Sequence, residues 1–186
     1  SPSRGLGDVY KRQERPVLYV GEIAMTGPNN MTPVSLGVQA PDFELASTNG
    51  GTFVLSSERG KSNLVIFFLN STTGGTDTQI AESFRDASEL FRGARTTIAG
   101  ICSAPLDELQ ALKEKLSLPY ELLSDDETTG LIYGVHVRQG FGPFSRQKFS
   151  RSTFLLDRTG VIRRIFRDLD VKDHINEVLA SLDTDL

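Results

Sequence analysis

The sequence predicts a single α/β domain in which helices flank a central mixed sheet. The run 64–69 is continuously apolar, and residues 96–102 are apolar or small, as expected of strands that are buried on both faces. Each run is followed by a segment with apolar residues at helical spacing, and a strand hairpin and a final helix come after these. This alternation is typical of α/β proteins, and 186 residues suffice for one full core.

The remaining elements follow from local signals. The strand 64–69 leads through a polar loop into a helix that runs to Gly93, and a capping-box pattern from Thr76 to Gln79 predicts its start. Ser103 is predicted to cap the next helix, with Pro105 in the first turn. The other expected elements are short strands at 42–45, 52–55 and 118–125, short helices at 56–59 and 126–133, a loop at 138–150, a hairpin of strands 152–156 and 161–166, and a helix at 171–182.

Composition excludes several classes of protein. A net charge of −4 and a pI near 5.2 give no electrostatic footprint for nucleic acid. No apolar run approaches the roughly 18–20 residues that cross a bilayer. The single cysteine, Cys102, excludes an intrachain disulfide and a multi-cysteine metal site, and the two histidines, His136 and His174, are isolated. We therefore expect no metal, no cofactor, no nucleic-acid or membrane partner and a cytoplasmic protein.

The N-terminal segment differs from the rest of the chain. Residues 1–13 show no apolar periodicity and resemble translated sequencing-adapter sequence. The turn-rich stretch that follows contains two candidate start residues, Met25 and Met31. We expect residues 1–33 to be artefactual or disordered and residues 34–186 to form the domain.

The stretch 67–86, FFLNSTTGGTDTQIAESFRD, resembles the catalytic loop and helix of peroxiredoxins, the AhpC/TSA family, and especially their Q-type or bacterioferritin-comigratory branch. Further similarities follow in the family's order: Gly37-x-x-Ala-Pro-Asp-Phe-Glu-Leu, Arg59-Gly60-Lys61, Leu-Pro-Tyr-Glu-Leu-Leu-Ser-Asp at 118–125, Tyr-Gly-Val at 133–135 and Arg-Ser-Thr-Phe-Leu-Leu-Asp at 151–157. The resemblance implies a thioredoxin-like fold. It also implies the family's activity, thiol-dependent reduction of hydroperoxides.

The reactive cysteine of that family is missing from its usual position. The family has Pro-x-x-x-Thr-x-x-Cys at this junction, and the corresponding residues here are Asn70, Gly74 and Asp77. Many Q-type members keep a resolving cysteine at the position of Glu82. A gap would shift the threonine match to Thr73 or Thr72, but no alignment supplies a cysteine, since none occurs between residues 1 and 101.

Asp77 cannot perform the family's chemistry. A carboxylate is not oxidised to a sulfenic acid and is a far poorer nucleophile than a thiolate. The resemblance assigns Arg151 as the arginine that activates the cysteine in the family. We expect Asp77 to stabilise the start of its helix and to pair with Arg151. A general-base role for Asp77 is the alternative.

Cys102 is an alternative redox thiol. It ends a predicted strand at the same edge of the sheet as the loop before Asp77, where Arg151 would be available to activate it. The other interpretation is an inert, half-buried cysteine, since free cysteines are often buried. The 138–150 loop carries Arg138, Arg146 and Lys148, which suit either an anion or partner site or a solvated loop.

The sequence thus predicts a divergent peroxiredoxin-family protein that has lost peroxide reduction and keeps a non-catalytic or binding role. Its ligand would be an anion or small polar molecule near Arg151, or a protein partner at the loop edge. The alternative is an active one-cysteine peroxidase or redox sensor that uses Cys102, with a hydroperoxide and a thioredoxin-like reductant as partners. Either form would be a monomer or a homodimer.

Overall fold

Strands and helices alternate along the chain, and the computed structural model describes residues 34–139, 141–167 and 171–186. The strands are β1 Glu44–Ser47, β2 Thr52–Val54, β3 Asn63–Leu69, β4 Thr96–Cys102, β5 Glu121–Ser124, β6 His136–Gln139, β7 Arg146–Phe149, β8 Ser152–Leu156 and β9 Ile162–Arg167. The helices are α1 Leu55–Glu58, α2 Gly75–Asp86, α3 Ser88–Gly93, α4 Leu106–Leu116, α5 Thr128–Ile132 and α6 Val171–Asp185, with a 3₁₀ turn at Gly142–Phe144.

Seven of the strands form one mixed sheet, in the order β2-β1-β5-β4-β3-β8-β9. The central strands β3, β4 and β5 are parallel, and β1 and β8 join them antiparallel on the two sides. Leu69, at the end of β3, lies opposite Cys102, at the end of β4. The loops that follow these two strands therefore leave the sheet at the same edge.

The central strand β3 separates two hydrophobic cores, because its side chains alternate between the faces of the sheet. Phe67 and its alternate neighbours pack with α2, α3, α4 and α6 on one face. Phe68 and its alternate neighbours pack with α1 and with Tyr133, which follows α5, on the other. Six consecutive residues, 64–69, are buried, which explains why the run is apolar without a break.

Helix α2 is held against the sheet by a pair of stacked rings. Phe84 is fully buried, and the centroid of its ring lies 4.3 Å from that of Phe67 on β3. Tyr120 contacts the same cluster edge-on and donates its hydroxyl to the carbonyl of Ala81. These contacts hold α2 against β3, and the first turn of α2 lies near the end of that strand, where the candidate site is found.

The α/β class and the mixed central sheet are confirmed, and two predicted helix starts are wrong. Helix α2 begins at Gly75, with Gly74 as N-cap and no side-chain cap, so the capping box at Thr76 is not formed. Likewise α4 begins after Pro105 and lacks a side-chain cap from Ser103. In both cases a residue without a capping side chain occupies the N-cap, because the preceding loop ends two residues away from the predicted position.

Two predicted segments are divided differently. The expected helix from Thr76 to Gly93 is two helices, because the backbone turns at Ala87, where φ is −91° and ψ is 0°. The expected loop at 138–150 contains strands β6 and β7, which pair antiparallel with His136 opposite Phe149. The predictions for residues 1–33 lie outside the described residues. Within the described ranges, no helix has both the length and the apolarity needed to span a membrane.

Candidate functional site

Asp77 lies in the first turn of α2, and only 2% of its surface is exposed. Its Oδ1 accepts the backbone N–H of Asn70 at 3.0 Å and the Nε–H of Arg151 at 3.1 Å. The Nη2 of the same guanidinium lies 3.4 Å from Oδ2. The buried carboxylate thus has both a cation and a backbone donor, which a buried charge needs to offset its lost hydration.

The fold brings Arg151 to this carboxylate through strand pairing. Arg151 directly precedes β8, and β8 pairs with β3 so that Thr153 lies opposite Phe67. Arg151 therefore sits next to the end of β3, where the loop to α2 begins. Its side chain is 37% exposed, so the ion pair joins a buried carboxylate to a half-exposed guanidinium.

Gly74 leaves the space that the carboxylate fills. A Cβ atom added to Gly74 would lie 2.8 Å from Oδ2 of Asp77 and 2.9 Å from Oγ of Ser71. Real Cβ atoms do not approach other atoms this closely, so any side chain at position 74 would force the carboxylate or the loop to move. The φ of Gly74 is −70°, a value that any residue adopts, so the glycine is required for space.

The loop between β3 and α2 is held by its own serine. Oγ of Ser71 accepts the N–H groups of Gly74 at 2.8 Å and Thr73 at 3.4 Å. The hydroxyl of Thr72 donates to Glu108 on α4 at 3.3 Å. Among the hydrogen bonds described for this loop, none joins a threonine hydroxyl to Arg151.

Glu82, at the family's resolving position, lies on α2 and is engaged locally. Its Oε1 is 3.7 Å from Nη1 of Arg85, and its side chain is 39% exposed. The same arginine donates to Asp86 and to the carbonyl of Leu116. Glu82 therefore takes part in a surface charge network of α2, outside the Asp77–Arg151 pair.

Cys102 ends β4 and is almost completely enclosed, with 1% of its surface exposed. Burial, together with the smaller effect of the negative charges of Asp77, Glu108 and Asp125, raises the pKa of its thiol to about 12. At neutral pH the thiol is therefore protonated, and a protonated thiol is neither a good nucleophile nor a ready target of peroxide. Cys102 is more deeply buried than the half-buried state expected from the sequence.

His174, on α6, is buried near Arg151. Its ring is 7% exposed and hydrogen bonds through Nε2 to Thr153 at 2.8 Å. Burial lowers the pKa of His174 to about 4, so the ring is neutral near pH 7. With Arg151, Thr153 and Phe67 it lines a cavity of about 10 Å³, which is on the scale of one water molecule.

Helical spacing in the sequence is sufficient to predict that His174 faces the core. Val178 lies four residues later and Leu182 eight, so the three share one face of α6. The sequence predicts an amphipathic helix that carries Ile175, Val178, Leu179 and Leu182, and it assigns His174 to a helix face without a chemical role. Both Ile175 and Leu179 are only partly buried against the core.

The other histidine, His136, packs against helix α5 and belongs to no group of metal-binding side chains within the described ranges. The ring of His136 stacks edge-on against Phe149, with centroids 5.5 Å apart, and covers Gly130, where an added Cβ would lie 2.5 Å from its ring. Within the described ranges, no three histidine, cysteine, aspartate or glutamate side chains are grouped closely enough to hold a metal ion.

This sheet order, with helices on both faces and a polar site at the end of the central strand β3, defines a protein of the thioredoxin-like class. Solved structures agree with that assignment. Peroxidoxin BcpB from Mycobacterium tuberculosis superposes with a TM-score of 0.70 and 26% identity, covering 80% of this chain and 96% of that one. The bacterioferritin comigratory protein of Xanthomonas campestris gives a TM-score of 0.71 at 24% identity, covering 76% and 90% of the two chains.

The sequence comparisons narrow the class to one family. The AhpC/TSA family matches residues 36–165. Peroxiredoxin Bcp of Bacillus subtilis is 34% identical over 151 residues, which cover 80% of this chain and 95% of the relative. The chloroplastic Peroxiredoxin Q of Suaeda salsa is 35% identical over 153 residues, covering 80% and 68%. The chain belongs to the AhpC/TSA family of peroxiredoxins, and its similarity is to the Q-type, bacterioferritin-comigratory branch.

Proposed function

We propose that this chain is a peroxiredoxin-family protein without thiol peroxidase activity, in which Asp77 replaces the peroxidatic cysteine and a non-catalytic, binding role remains. The family's reaction transfers an oxygen atom from a hydroperoxide to a thiolate, which forms a sulfenic acid and releases an alcohol or water. Asp77 has no sulfur to accept that oxygen. Its carboxylate instead holds Arg151 in an ion pair.

The observation that carries this proposal is that three departures from the family motif fit one another. Asn70, at the proline position, supplies the backbone N–H that Asp77 accepts, and proline has no N–H to give. Gly74, at the threonine position, leaves the space that the carboxylate occupies. The three residues form one arrangement built around a carboxylate, which argues for a site adapted to Asp77.

The same arrangement disfavours an anionic ligand at Arg151. Its guanidinium already faces an anion at 3.1 and 3.4 Å, and the carboxylate cannot diffuse away as a bound ion would. The adjoining cavity of about 10 Å³ offers little room for a second group. Of the two binding roles expected from the sequence, a protein partner at the surface is therefore better supported than a small polar ligand in the pocket.

The alternative, a one-cysteine peroxidase that uses Cys102, has less support. A thiol with 1% exposure and a pKa of about 12 would need the end of β4 to open before a hydroperoxide or a thioredoxin-like reductant could reach it. No cation contacts Cys102 among the described interactions, since the charges that shift its pKa are all negative.

Peroxide consumption by the purified full chain tests both hypotheses, the loss of peroxidase activity and a peroxidase that uses Cys102. Hydrogen peroxide and excess dithiothreitol would be supplied to the wild type, Asp77→Cys and Cys102→Ser. We expect no turnover by the wild type or Cys102→Ser above the buffer control, and measurable turnover by Asp77→Cys. Turnover by the wild type that disappears in Cys102→Ser would overturn the proposal and establish the alternative.

A further inference from the structure

The β6–β7 hairpin exposes two phenylalanines at its tip. Phe141 is 93% exposed and Phe144 is 86% exposed; Phe141 directly precedes the 3₁₀ turn Gly142–Phe144, and Phe144 is its last residue. In the part of the chain that the structure describes, no other aromatic side chain is among the exposed large hydrophobic residues. Two nearly fully exposed phenyl rings three residues apart in one loop are typical of an interaction site.

The hairpin is also basic, although the chain as a whole is acidic. Residues 137–150 include Arg138, Arg146 and Lys148 and no aspartate or glutamate, whereas the whole chain has a net charge of −4. A partner surface for this hairpin would therefore combine negative charge with an apolar recess large enough for phenyl rings.

The same chain carries such a surface, here named the acidic groove. Its acidic side chains are Asp42, Glu44 and Asp126, all exposed, and its apolar lining includes Phe43, Leu45 and Ile132. The groove has a volume of about 420 Å³, within the range of pockets that enclose organic ligands and enough for two phenyl rings. Charge and shape thus match the hairpin tip.

The groove and the hairpin adjoin one another in the fold. Helix α5 forms one wall of the groove through Thr128, Thr129 and Ile132. The base of the hairpin packs on that helix, because the ring of His136 covers Gly130. The exposure of Phe141 and Phe144 excludes their insertion into the groove of their own chain. A second copy, related by a two-fold axis, would place each hairpin in the other copy's groove.

We infer that this face is a homodimer interface in which the Phe141–Phe144 tip of each copy enters the acidic groove of the other. Two phenylalanine side chains bury roughly 300–500 Å² of their own surface. Reciprocal exchange with two grooves brings the total buried area to about 1,200–2,000 Å², which is the size of a stable specific interface. The inference does not depend on whether peroxide reduction has been lost.

Sedimentation velocity on the full chain tests the inference over a concentration series at about 50 mM and about 500 mM salt. We expect a reversible dimer that weakens at high salt, because screening reduces the attraction between hairpin and groove. The tip variant Phe141→Ser/Phe144→Ser and the groove variant Glu44→Lys/Asp126→Lys should each weaken dimerisation at least about tenfold. Leu90→Ser, at another exposed apolar residue, is the matched control and should change nothing.

Mixing the two variants supplies a sharper readout. In a mixed dimer the intact hairpin of one copy meets the intact groove of the other, so one of the two contacts survives. The mixture should therefore dimerise more tightly than either variant alone. Circular dichroism checks that both variants fold. A wild type that stays monomeric at every concentration, or a dimer that survives both sets of substitutions, would overturn the inference.

Discussion

The ends of β3 and β4 lie side by side. A reactive thiol requires a sulfur atom and groups that stabilise its negative charge, and each strand end supplies only one of the two. The loop after β3 has a helix N-terminus and a guanidinium but a carboxylate in place of sulfur. The end of β4 has the sulfur of Cys102, but it is enclosed, and the charges described as acting on its thiol are those of the acidic residues Asp77, Glu108 and Asp125. Leu69 and Cys102 are direct neighbours in the sheet, so the two environments lie at the ends of adjacent strands.

The comparison teaches that burial and local charge decide reactivity here more than proximity does. A thiol becomes a nucleophile when its thiolate is stabilised by a cation or by helix N–H groups, and it becomes inert when apolar surroundings favour the protonated form. Position 77 has the first environment and position 102 the second. The groups that would stabilise a thiolate, Arg151 and the N-terminus of α2, therefore surround position 77, whereas the single thiol of the chain is at position 102.

The largest effect should come from returning sulfur to the first environment together with its original neighbours. The triple variant Asn70→Pro, Gly74→Thr and Asp77→Cys should reduce hydrogen peroxide at least about 10³-fold faster than the wild type, since a missing nucleophile costs several orders of magnitude. Removing the carboxylate frees the space in which a Cβ at position 74 would lie 2.8 Å from Oδ2, and it removes the need for the Asn70 N–H. The hydroxyl of Ser71, which would lie 2.9 Å from the same Cβ, still has to turn away. Dithiothreitol-coupled peroxide consumption is the measurement.

Two controls distinguish the proposed coupling from a simple gain of sulfur. Asp77→Cys alone should be slower than the triple variant by about tenfold, the equivalent of 1.4 kcal/mol. Gly74→Thr alone should destabilise the protein, because the carboxylate still occupies the space. A triple variant no faster than Asp77→Cys would show that the three positions are independent.

Breaking the ion pair should have the next largest effect. Arg151→Met leaves the Asp77 carboxylate buried with only the Asn70 N–H, and it should lower the free energy of unfolding by about 2–4 kcal/mol, somewhat less than a fully buried pair because the guanidinium is half exposed. Urea denaturation is the measurement. Asp77→Ala combined with Arg151→Met should recover much of the loss, and a single variant as stable as wild type would contradict the role of the pair.

Hydrophobic periodicity was sufficient to predict the sheet and most of its helices. Strand β4 has the predicted bounds, and β3 begins one residue earlier than expected. The agreement is this close because strands buried on both faces are apolar throughout and are therefore visible in the sequence. The helix starts could not be obtained in this way. Whether Thr76 or Gly74 is the N-cap depends on the residue at which the preceding loop ends. The loop ends at Gly74, whose N–H donates to Oγ of Ser71.

The candidate site was only partly accessible to sequence reasoning. Resemblance placed Asp77 near Arg151, but it gave no reason for the changes at Asn70 and Gly74. Those reasons are the direction of a backbone N–H and the space beside Gly74, where an added Cβ would lie 2.8 Å from the carboxylate, and both are properties of three-dimensional geometry. The hairpin of β6 and β7 was missed for a different reason, because glycine and arginine break its apolar alternation.

Lowering the pH should reduce the free energy of unfolding through His174, which lines the same small cavity as Arg151. Its pKa is lowered from 6.5 to about 4 by burial, so the unfolded chain binds more protons than the folded chain between these values. Stability is fully present above pH 6.5 and is lost as the pH falls toward 4. Between pH 7 and pH 5 this amounts to about 1–2 kcal/mol.

Urea denaturation at pH 7 and pH 5 measures this contribution. His174→Gln is the matched variant, because glutamine keeps a polar group near Thr153 and does not titrate. Its stability should change less than that of the wild type over the same interval. Equal losses in the two proteins would contradict a contribution from His174. Asp157 cannot produce such a loss in this interval, because its pKa is lowered below its ordinary value and it stays ionised at pH 5 in the folded and the unfolded chain.

The smallest effect is expected at the thiol itself. Cys102→Ala removes one buried sulfur from a packed strand end and should cost about 1 kcal/mol of unfolding free energy, with no change in peroxide consumption. The native wild type should also resist iodoacetamide at pH 7 and react fully in urea, since a protonated, enclosed thiol is a poor nucleophile. In Asp77→Cys, by contrast, one of the two thiols should react in the folded protein. Rapid native labelling of the wild type would remove the distinction between the two strand ends, because it would show that Cys102 has access to solvent and to the thiolate form.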